Sequence, residues 1–282
     1  MQEPWALDRK IGVFFQPKIP GAVHWAAAVR DRLAELGFEG WVADVNAPPS
    51  PLEADLIITL GGDGTILAVA RLAAPLDIPI LPVNLGRLGF MAEFDPHQLL
   101  AQLPELLRGD GWVERRRLLT ATLTRSGAAV REVLALNDIV ISRGSVARVI
   151  RVRTHVDGAY LTTYVGDGVI VATATGSTAY ALAAGGPILH PELTDLLISP
   201  INPHLSFDRA LIVPGAAKIE MEAIADHQPF LVVDGQEHLP LEPGDLVGAT
   251  LSPYAASLLR WQPRNYFYSS LMRRLRGRDS EL

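Results

Sequence analysis

The chain has 282 residues, 49% hydrophobic and 20% charged, an ordinary globular composition and enough length for two domains. A formal net charge of −6 argues against broad electrostatic attraction to nucleic acid. The absence of cysteine excludes disulfides, thiolate metal sites and cysteine nucleophiles.

The opening MQEPWALDRKIGVFFQPK lacks the basic, apolar and small-residue order of a signal peptide, so a soluble cytoplasmic protein is expected. The first hundred residues then alternate strands and helices. IGVFFQP reads as a strand, and Gly21 to Leu36 as a helix with Val29, Leu33 and Leu36 at helical spacing. GWVADV, ADLIITL and IPILPVN are further strands, with the helix TILAVARLAA between the last two and the proline-rich loop NAPPSPLE after the first of them. DPHQLLAQLPELLRG is a helix with Asp95 as N-cap and Pro96 in its first turn. This alternation predicts a doubly wound α/β layer with a mostly parallel sheet.

After Gly111 the rhythm becomes mainly β. LLTATLTRSG, REVLALNDIVISRG, ARVIRVRTHVDG, AYLTTYVGDGVIVATAT, RALIVPG, AKIEMEAI, PFLVVDGQEHLPL and LVGATLSP read as strands between turns. FYSSLMRRLRGRDSEL reverts to helix, and Phe267, Leu271 and Leu275 on one stripe predict that it docks on the first domain. The 22 uncharged residues from Gly168 to Leu189 are long enough to span a bilayer. They are thick with Gly, Thr and Ser, which suits the lining of a buried ligand site better.

Chemistry concentrates in three places. GGDGT (61–65) follows a strand and opens a helix, where a doubly wound sheet binds ligands. Glycines at Gly61, Gly62 and Gly64 permit positive φ and let backbone amides, with Thr65, approach phosphate. No Walker lysine and no dinucleotide fingerprint is present. Asp63 therefore meets phosphate with no cation beside it in the chain, so it must bind a bridging metal or accept a proton from an attacking hydroxyl. The alternative is that Asp63 caps the following helix. Asp167, in a second carboxylate-between-glycines turn, precedes TGSTAY, whose four hydroxyls suit sugars and phosphates; the Tyr180 ring could stack on a base. A hairpin turn and a helix cap at Ser177 or Thr178 are the alternative there. Asn137 and Asp138 interrupt an apolar strand, and Asn137 could bond a base or a ribose, unless the pair is only a strand-end turn.

In order, GGDGT, the ND of LALNDIVISRG, and GDGVIVATATGSTAYALAAGGP resemble the motifs of the NAD kinases. The first is shared with diacylglycerol and sphingosine kinases; the third is specific. NLGRLGFMAEF (84–94), SPINPHLSF (199–207) and VDGQ (233–236) extend the similarity to nearly the whole chain. The resemblance implies an α/β domain over residues 1–112, a β-rich dinucleotide-binding domain over 113–263, a helix over 264–282 returning to the first domain, and a site between the domains. It implies phosphoryl transfer from ATP or polyphosphate to the 2′-hydroxyl of the adenosine ribose of NAD, giving NADP, with Asp63 as proton acceptor. Dinucleotide contacts would fall on Asp63, Gly64, Asn137, Asp138, Arg148, Asp167, Thr175, Thr178, Ala179, Tyr180, Ala183 and Gln236. Arg148 and Arg151 are read as strand residues able to reach a pyrophosphate.

Two departures stand out: Asp138 where many members have Glu, and Ala174 where many have Pro. Val165 lies at a position that bears on acceptance of NADH. Mg²⁺ or another divalent cation is expected with the nucleotide, without a dedicated protein cage and with no tightly bound organic cofactor. No nucleic acid or membrane partner is expected, and the family implies a homodimer or homotetramer. The rival readings are a lipid kinase, for which Arg273, Arg274, Arg276 and Arg278 could form a membrane-facing surface, and a catalytically silent dinucleotide sensor.

Overall fold

The computed structural model describes residues 10–86, 89–144, 148–204 and 207–279, with side chains described as far as Leu275. The chain divides into two compact units: one runs to Arg115 and resumes at Ala256, and the other is Arg116–Ala255.

The first unit contains β1 (Lys10–Phe15), α1 (Ala22–Glu35), β2 (Glu39–Asp44), β3 (Leu56–Gly61), α2 (Asp63–Ala73), β4 (Ile80–Asn84) and α3 (Pro96–Leu107). Its strands lie in the order β2-β1-β3-β4, all parallel. β3 is buried along its whole length, which is why LIITLG reads as an unbroken apolar run rather than an alternating one. Leu33 of α1, Leu56 and Leu60 of β3, and Leu99 and Leu103 of α3 share one core with Ile11 and Val13 of β1. Each such side chain contributes about 1.5–3 kcal/mol by leaving water. Asp95 caps α3 through a reciprocal pair: the Gln98 N–H donates to its carboxylate at 2.9 Å, and the Gln98 side chain accepts the Asp95 N–H at 3.1 Å. Strand order reverses direction between β1 and β3, so the carboxyl end of β3 is the switch point at which such sheets bind ligands.

In the second unit β5 (Trp112–Arg125), β6 (Ala128–Ala135), β7 (Asp138–Ser142), β8 (Ile150–Val156), β9 (Ala159–Gly166) and β10 (Gly168–Ala172) are followed by the short α4 (Tyr180–Ala183). Then come β11 (Leu196–Ile201), β12 (Leu211–Val213), β13 (Ile219–Ile224), β14 (Phe230–Val233), β15 (Glu237–Pro240) and β16 (Leu246–Arg260). One antiparallel sheet runs β12-β11-β10-β7-β14-β15. β16, β13, β8 and β9 pair in a second sheet, with β5 joined to β16 and β6 to β5. Ile139, Ile141, Val169 and Val171 from the first sheet share a core with Ile150, Val152, Ile219 and Val247 from the second.

The opposite face of β7 and β10 is also apolar. Val140, Ile170, Ala172 and Leu197 are covered there by Ala174, Ala181 and Leu189. The uncharged stretch Gly168–Leu189 is thus a strand followed by its own lid, and no described helix is long and apolar enough to cross a membrane.

Several boundaries differ from those expected. REVLALNDIVISRG is two strands broken at Leu136–Asn137, and AYLTTYVGDGVIVATAT is two strands broken at Asp167. LLISPI forms β11, which period-2 reading misses because both faces are buried. β16 continues past LVGATLSP to Arg260, and its last residues belong to the first unit, where Leu258 pairs with Ile80 in parallel. The last helix, α5 (Tyr266–Asp279), returns to the first unit. Its buried positions are Ser270 and Arg274, whereas Phe267, Leu271 and Leu275 are only half-buried.

Candidate active site

The GGDGT turn starts where β3 ends. α2 opens at Asp63 itself rather than at Thr65, with extended Gly62 (φ −106°, ψ −172°) as its N-cap. None of Gly61, Gly62 and Gly64 adopts positive φ, so left-handed backbone is not what the turn needs. Close approach is: a Cβ on Gly61 would overlap the buried Thr65 side chain.

Asp63 does not cap α2. Its carboxylate accepts the N–H of Phe90 at 3.0 Å and of Met91 at 3.4 Å. Gly89 lies so close beneath the carboxylate that any Cβ there would overlap it. The segment NLGRLGFMAEF is therefore the cradle of Asp63; Arg87 and Leu88 within it lie outside the described residues.

The expected lack of a neighbouring cation holds along the chain and fails in space. Arg274 of α5 is 7% exposed and donates to the Phe90 carbonyl at 2.6 Å and the Ala92 carbonyl at 3.3 Å. Burial lowers its pKa, with the charge of Arg260 acting in the same sense, and Tyr266, Glu93 and Asp63 opposing. Arg260 donates to the Met91 carbonyl and, at 2.7 Å, to the Glu114 carboxylate. Arg274 is thereby withdrawn from the basic face considered for a membrane surface, while Arg273 is exposed and bonds the Tyr266 hydroxyl. The side chains of Arg276 and Arg278 lie outside the described residues.

In the second unit Asn137 and Asp138 stand at the break between β6 and β7. Asp234 fixes that break: its carboxylate accepts the N–H groups of Leu136 (3.0 Å), Asn137 (2.8 Å) and Asp138 (3.1 Å), and its own N–H donates to the Asp138 carbonyl. A cavity of about 360 Å³ opens there, lined by Asn137, Asp138, Ala179, Tyr180, Asp234 and Gly235 with apolar neighbours. Asp138 is 4% exposed, and burial first, then the charge of Asp234, pushes its pKa up to about 7. Tyr180 presents its ring at the surface, 46% exposed, and its hydroxyl pKa is raised by burial and by Asp167 and Asp138.

The hydroxyls of the TATGST loop face inward. Thr173 donates to the Leu136 carbonyl at 2.6 Å and accepts the Gly176 N–H. Ser177 bonds Ala174 and Leu189, and Thr178 donates to the Thr175 carbonyl. Thr175 is 5% exposed. These groups hold the loop against Asn137, on whose carbonyl Gly176 sits too closely for any Cβ.

Asp167 accepts from Arg143 at 2.8 Å and from Asn202 at 2.9 Å. Arg148 lies before β8, not in it; it is exposed and pairs with Asp226 at 3.3 Å. A pyrophosphate role for it thus loses its strand placement. Ala183 and Gln236 are exposed and lie outside the cavity lining. Sequence reasoning missed Asp234, Arg143, Phe90, Met91, Arg260 and Arg274. Only Asp234 carried a local signal, an acid before glycine at a strand end, and its φ of +49° marks that turn.

Residues 10–111 match the ATP-NAD kinase N-terminal domain, and residues 136–261 match the ATP-NAD kinase C-terminal domain. The chain belongs to the NAD kinase family. An NAD kinase of Dehalococcoides mccartyi is 39% identical over 279 residues, 97% of this chain and 98% of the relative. One from Chloroflexus aurantiacus is 40% identical over 271 residues, 95% and 98%. Among solved structures, yeast NADH kinase complexed with NADH superposes with a TM-score of 0.80 at 26% identity, covering 100% of this chain and 90% of the other. An Archaeoglobus fulgidus NAD kinase in complex with ATP gives 0.77 at 29%, covering 95% and 98%. The α/β first part, mainly β second part and returning helix are those of an NAD kinase, and the enzyme is a kinase that phosphorylates NAD.

Proposed function

We propose that Asp63 is the residue that holds the 2′-hydroxyl of the adenosine ribose in line for attack on the terminal phosphoryl group and accepts its proton. The observation that carries this is the fixed placement of its carboxylate, held by two backbone amides at the carboxyl end of β3. Two amides occupy part of the carboxylate's acceptor capacity and leave lone pairs for a hydroxyl donor. In a loose phosphoryl-transfer transition state proton removal comes late, so a carboxylate suffices.

The Asn137–Asp138 cavity is the dinucleotide-binding half of the reading. Asn137, and Asp138 in its protonated form, each supply a donor and an acceptor, and the Tyr180 ring supplies a stacking face. Gly61, Gly62, Gly64 and Thr65 are proposed to face the phosphates. Among the described residues no three acids or histidines converge as a metal cage. A divalent cation carried in on nucleotide oxygens and water is part of the proposal, and would neutralise the triphosphate. ATP or polyphosphate as donor, a cytoplasmic setting and a homodimeric or homotetrameric assembly belong to the same proposal, on the strength of the family.

The test mixes protein, Mg²⁺, NAD and either ATP or polyphosphate, and reads NADP with an NADP-specific dehydrogenase. NADP formation that disappears in Asp63→Asn is the expected result. Silence with every donor would leave only a dinucleotide sensor.

A further inference from the structure

α5 turns a polar stripe inward. Ser270 and Arg274, four residues apart, are its buried positions, and Ser270 bonds its own helix through the Tyr266 and Phe267 carbonyls. Burying a guanidinium is unfavourable unless it is well bonded, and docking of a helix asks only for an apolar stripe. Arg274 must therefore be accounted for by what it grips.

It grips one end of a peptide group whose other end faces Asp63. The carbonyl of Phe90 and the N–H of Met91 belong to a single planar amide. Arg274 donates to that carbonyl at 2.6 Å, and the N–H points to the Asp63 carboxylate at 3.4 Å. A trans peptide aims its two polar ends in opposite directions, so a cation at the oxygen and an anion at the nitrogen fix its plane like two pins. The second Arg274 bond, to the Ala92 carbonyl at 3.3 Å, and the Arg260 bond to the Met91 carbonyl stop the neighbouring peptides from rotating. Phe90 itself donates its N–H to Asp63 at 3.0 Å.

We propose that Arg274 is a positioning residue for phosphoryl transfer: the C-terminal helix orients the Phe90–Met91 peptide, and that peptide orients the Asp63 carboxylate. The proposal rests on the reading of Asp63 as the residue that receives the ribose hydroxyl. It gives α5 a part in turnover that neither its sequence nor its distance along the chain suggests.

The experiment compares wild type, Arg274→Ala, Arg274→Lys and the exposed neighbour Arg273→Ala, measuring kcat and KM for NAD at saturating ATP and Mg²⁺. Amide exchange is followed in parallel at Phe90 and Met91 and across β3. Arg274→Ala should lower kcat about 10²-fold, the size expected for a misplacement of about 1 Å, with KM for NAD within about threefold. Lys, a compact ammonium on a flexible stem without the planar fork that holds both carbonyls, should fall between wild type and Arg274→Ala. Arg273→Ala should leave kcat unchanged. In both Arg274 variants the Phe90 and Met91 amides should exchange faster while β3 stays protected.

A kcat within about threefold of wild type in Arg274→Ala overturns the proposal, as does a KM increase that accounts for the whole loss. Loss of β3 protection alongside the loop would assign Arg274 to the fold alone. Should the Ala variant fail to fold, wild-type turnover in Arg274→Lys is the refuting result. A wild-type protein that makes no NADP removes the reading of Asp63 before any variant is compared, so the two failures are distinct.

Discussion

Asp138 offers a prediction whose size follows from one buried group. Its carboxyl is 4% exposed, and its pKa is raised from 3.8 to about 7, by burial first and by Asp234 second. The folded pKa lies above the unfolded one, so between about pH 4 and 7 the folded protein holds a proton that the unfolded chain has released. Stability is therefore fully present below about pH 4 and is lost as the pH rises through 7. Three pH units at about 1.4 kcal/mol each amount to roughly 4 kcal/mol. Asp138→Asn never ionises and escapes that loss, so the variant should match wild type near pH 4 and exceed it by up to about 4 kcal/mol at pH 8. The five tryptophans, at positions 5, 25, 41, 112 and 261, all lie outside Arg116–Ala255. Urea unfolding should accordingly be followed by far-UV circular dichroism rather than by tryptophan emission. A difference between variant and wild type that stays flat from pH 5 to pH 8 would show that Asp138 is ionised in the folded protein, and the reasoning fails.

Three other outcomes follow from the same geometry. Asp63→Asn should lower kcat by about 10²–10⁴-fold while NAD affinity, read by calorimetry, changes little. Gly89→Ala forces a methyl into the Asp63 carboxylate; its kcat should fall with that of Asp63→Asn, and a variant with native turnover would mean that the carboxylate can move without consequence. Arg125 makes a two-pronged contact with Asp245 at 2.9 and 2.7 Å, and the Asp245 side chain is 1% exposed. The contact with Arg125 holds the Asp245 carboxyl below its ordinary range. Arg125→Met should thus destabilise at pH 7 by leaving the buried Asp245 carboxylate without its partner, and progressively less as the pH falls through the native pKa of Asp245, which paired urea titrations at pH 7 and pH 3 would detect.

Much of the fold was legible because its signals are local. β1, β3 and β4 are apolar runs between helices, and Asp95 followed by Pro96 and Gln98 announces a capped helix. The misses share a physical cause, since period-2 alternation vanishes wherever a sheet is covered on both faces. β11 and the end of β16 are such strands. α5 failed in the opposite way: a stripe of Phe267, Leu271 and Leu275 predicts the buried face of an ordinary amphipathic helix, whereas polar Ser270 and Arg274 occupy it. No periodicity encodes an arginine whose partners are carbonyls about 180 residues away in the chain.

The acids of the site divide along the same line. Sequence singled out Asp63, Asp138 and Asp167 by their glycine or polar neighbours, yet an acid's neighbours in the chain say little about what it accepts in the fold. Asp63 takes two amides from a segment nearly thirty residues on, and Asp234 takes three from a segment nearly a hundred residues back. Both therefore organise backbone from a distance, whatever else they bind. Asp167 is held by two side chains instead. Asp138 lines the same cavity as Asp234, with a carboxyl that burial drives toward the neutral form. A neutral acid there can donate as well as accept, and beside the dinucleotide of the proposed function it would avoid the repulsion that a second ionised carboxylate adds to two phosphate charges.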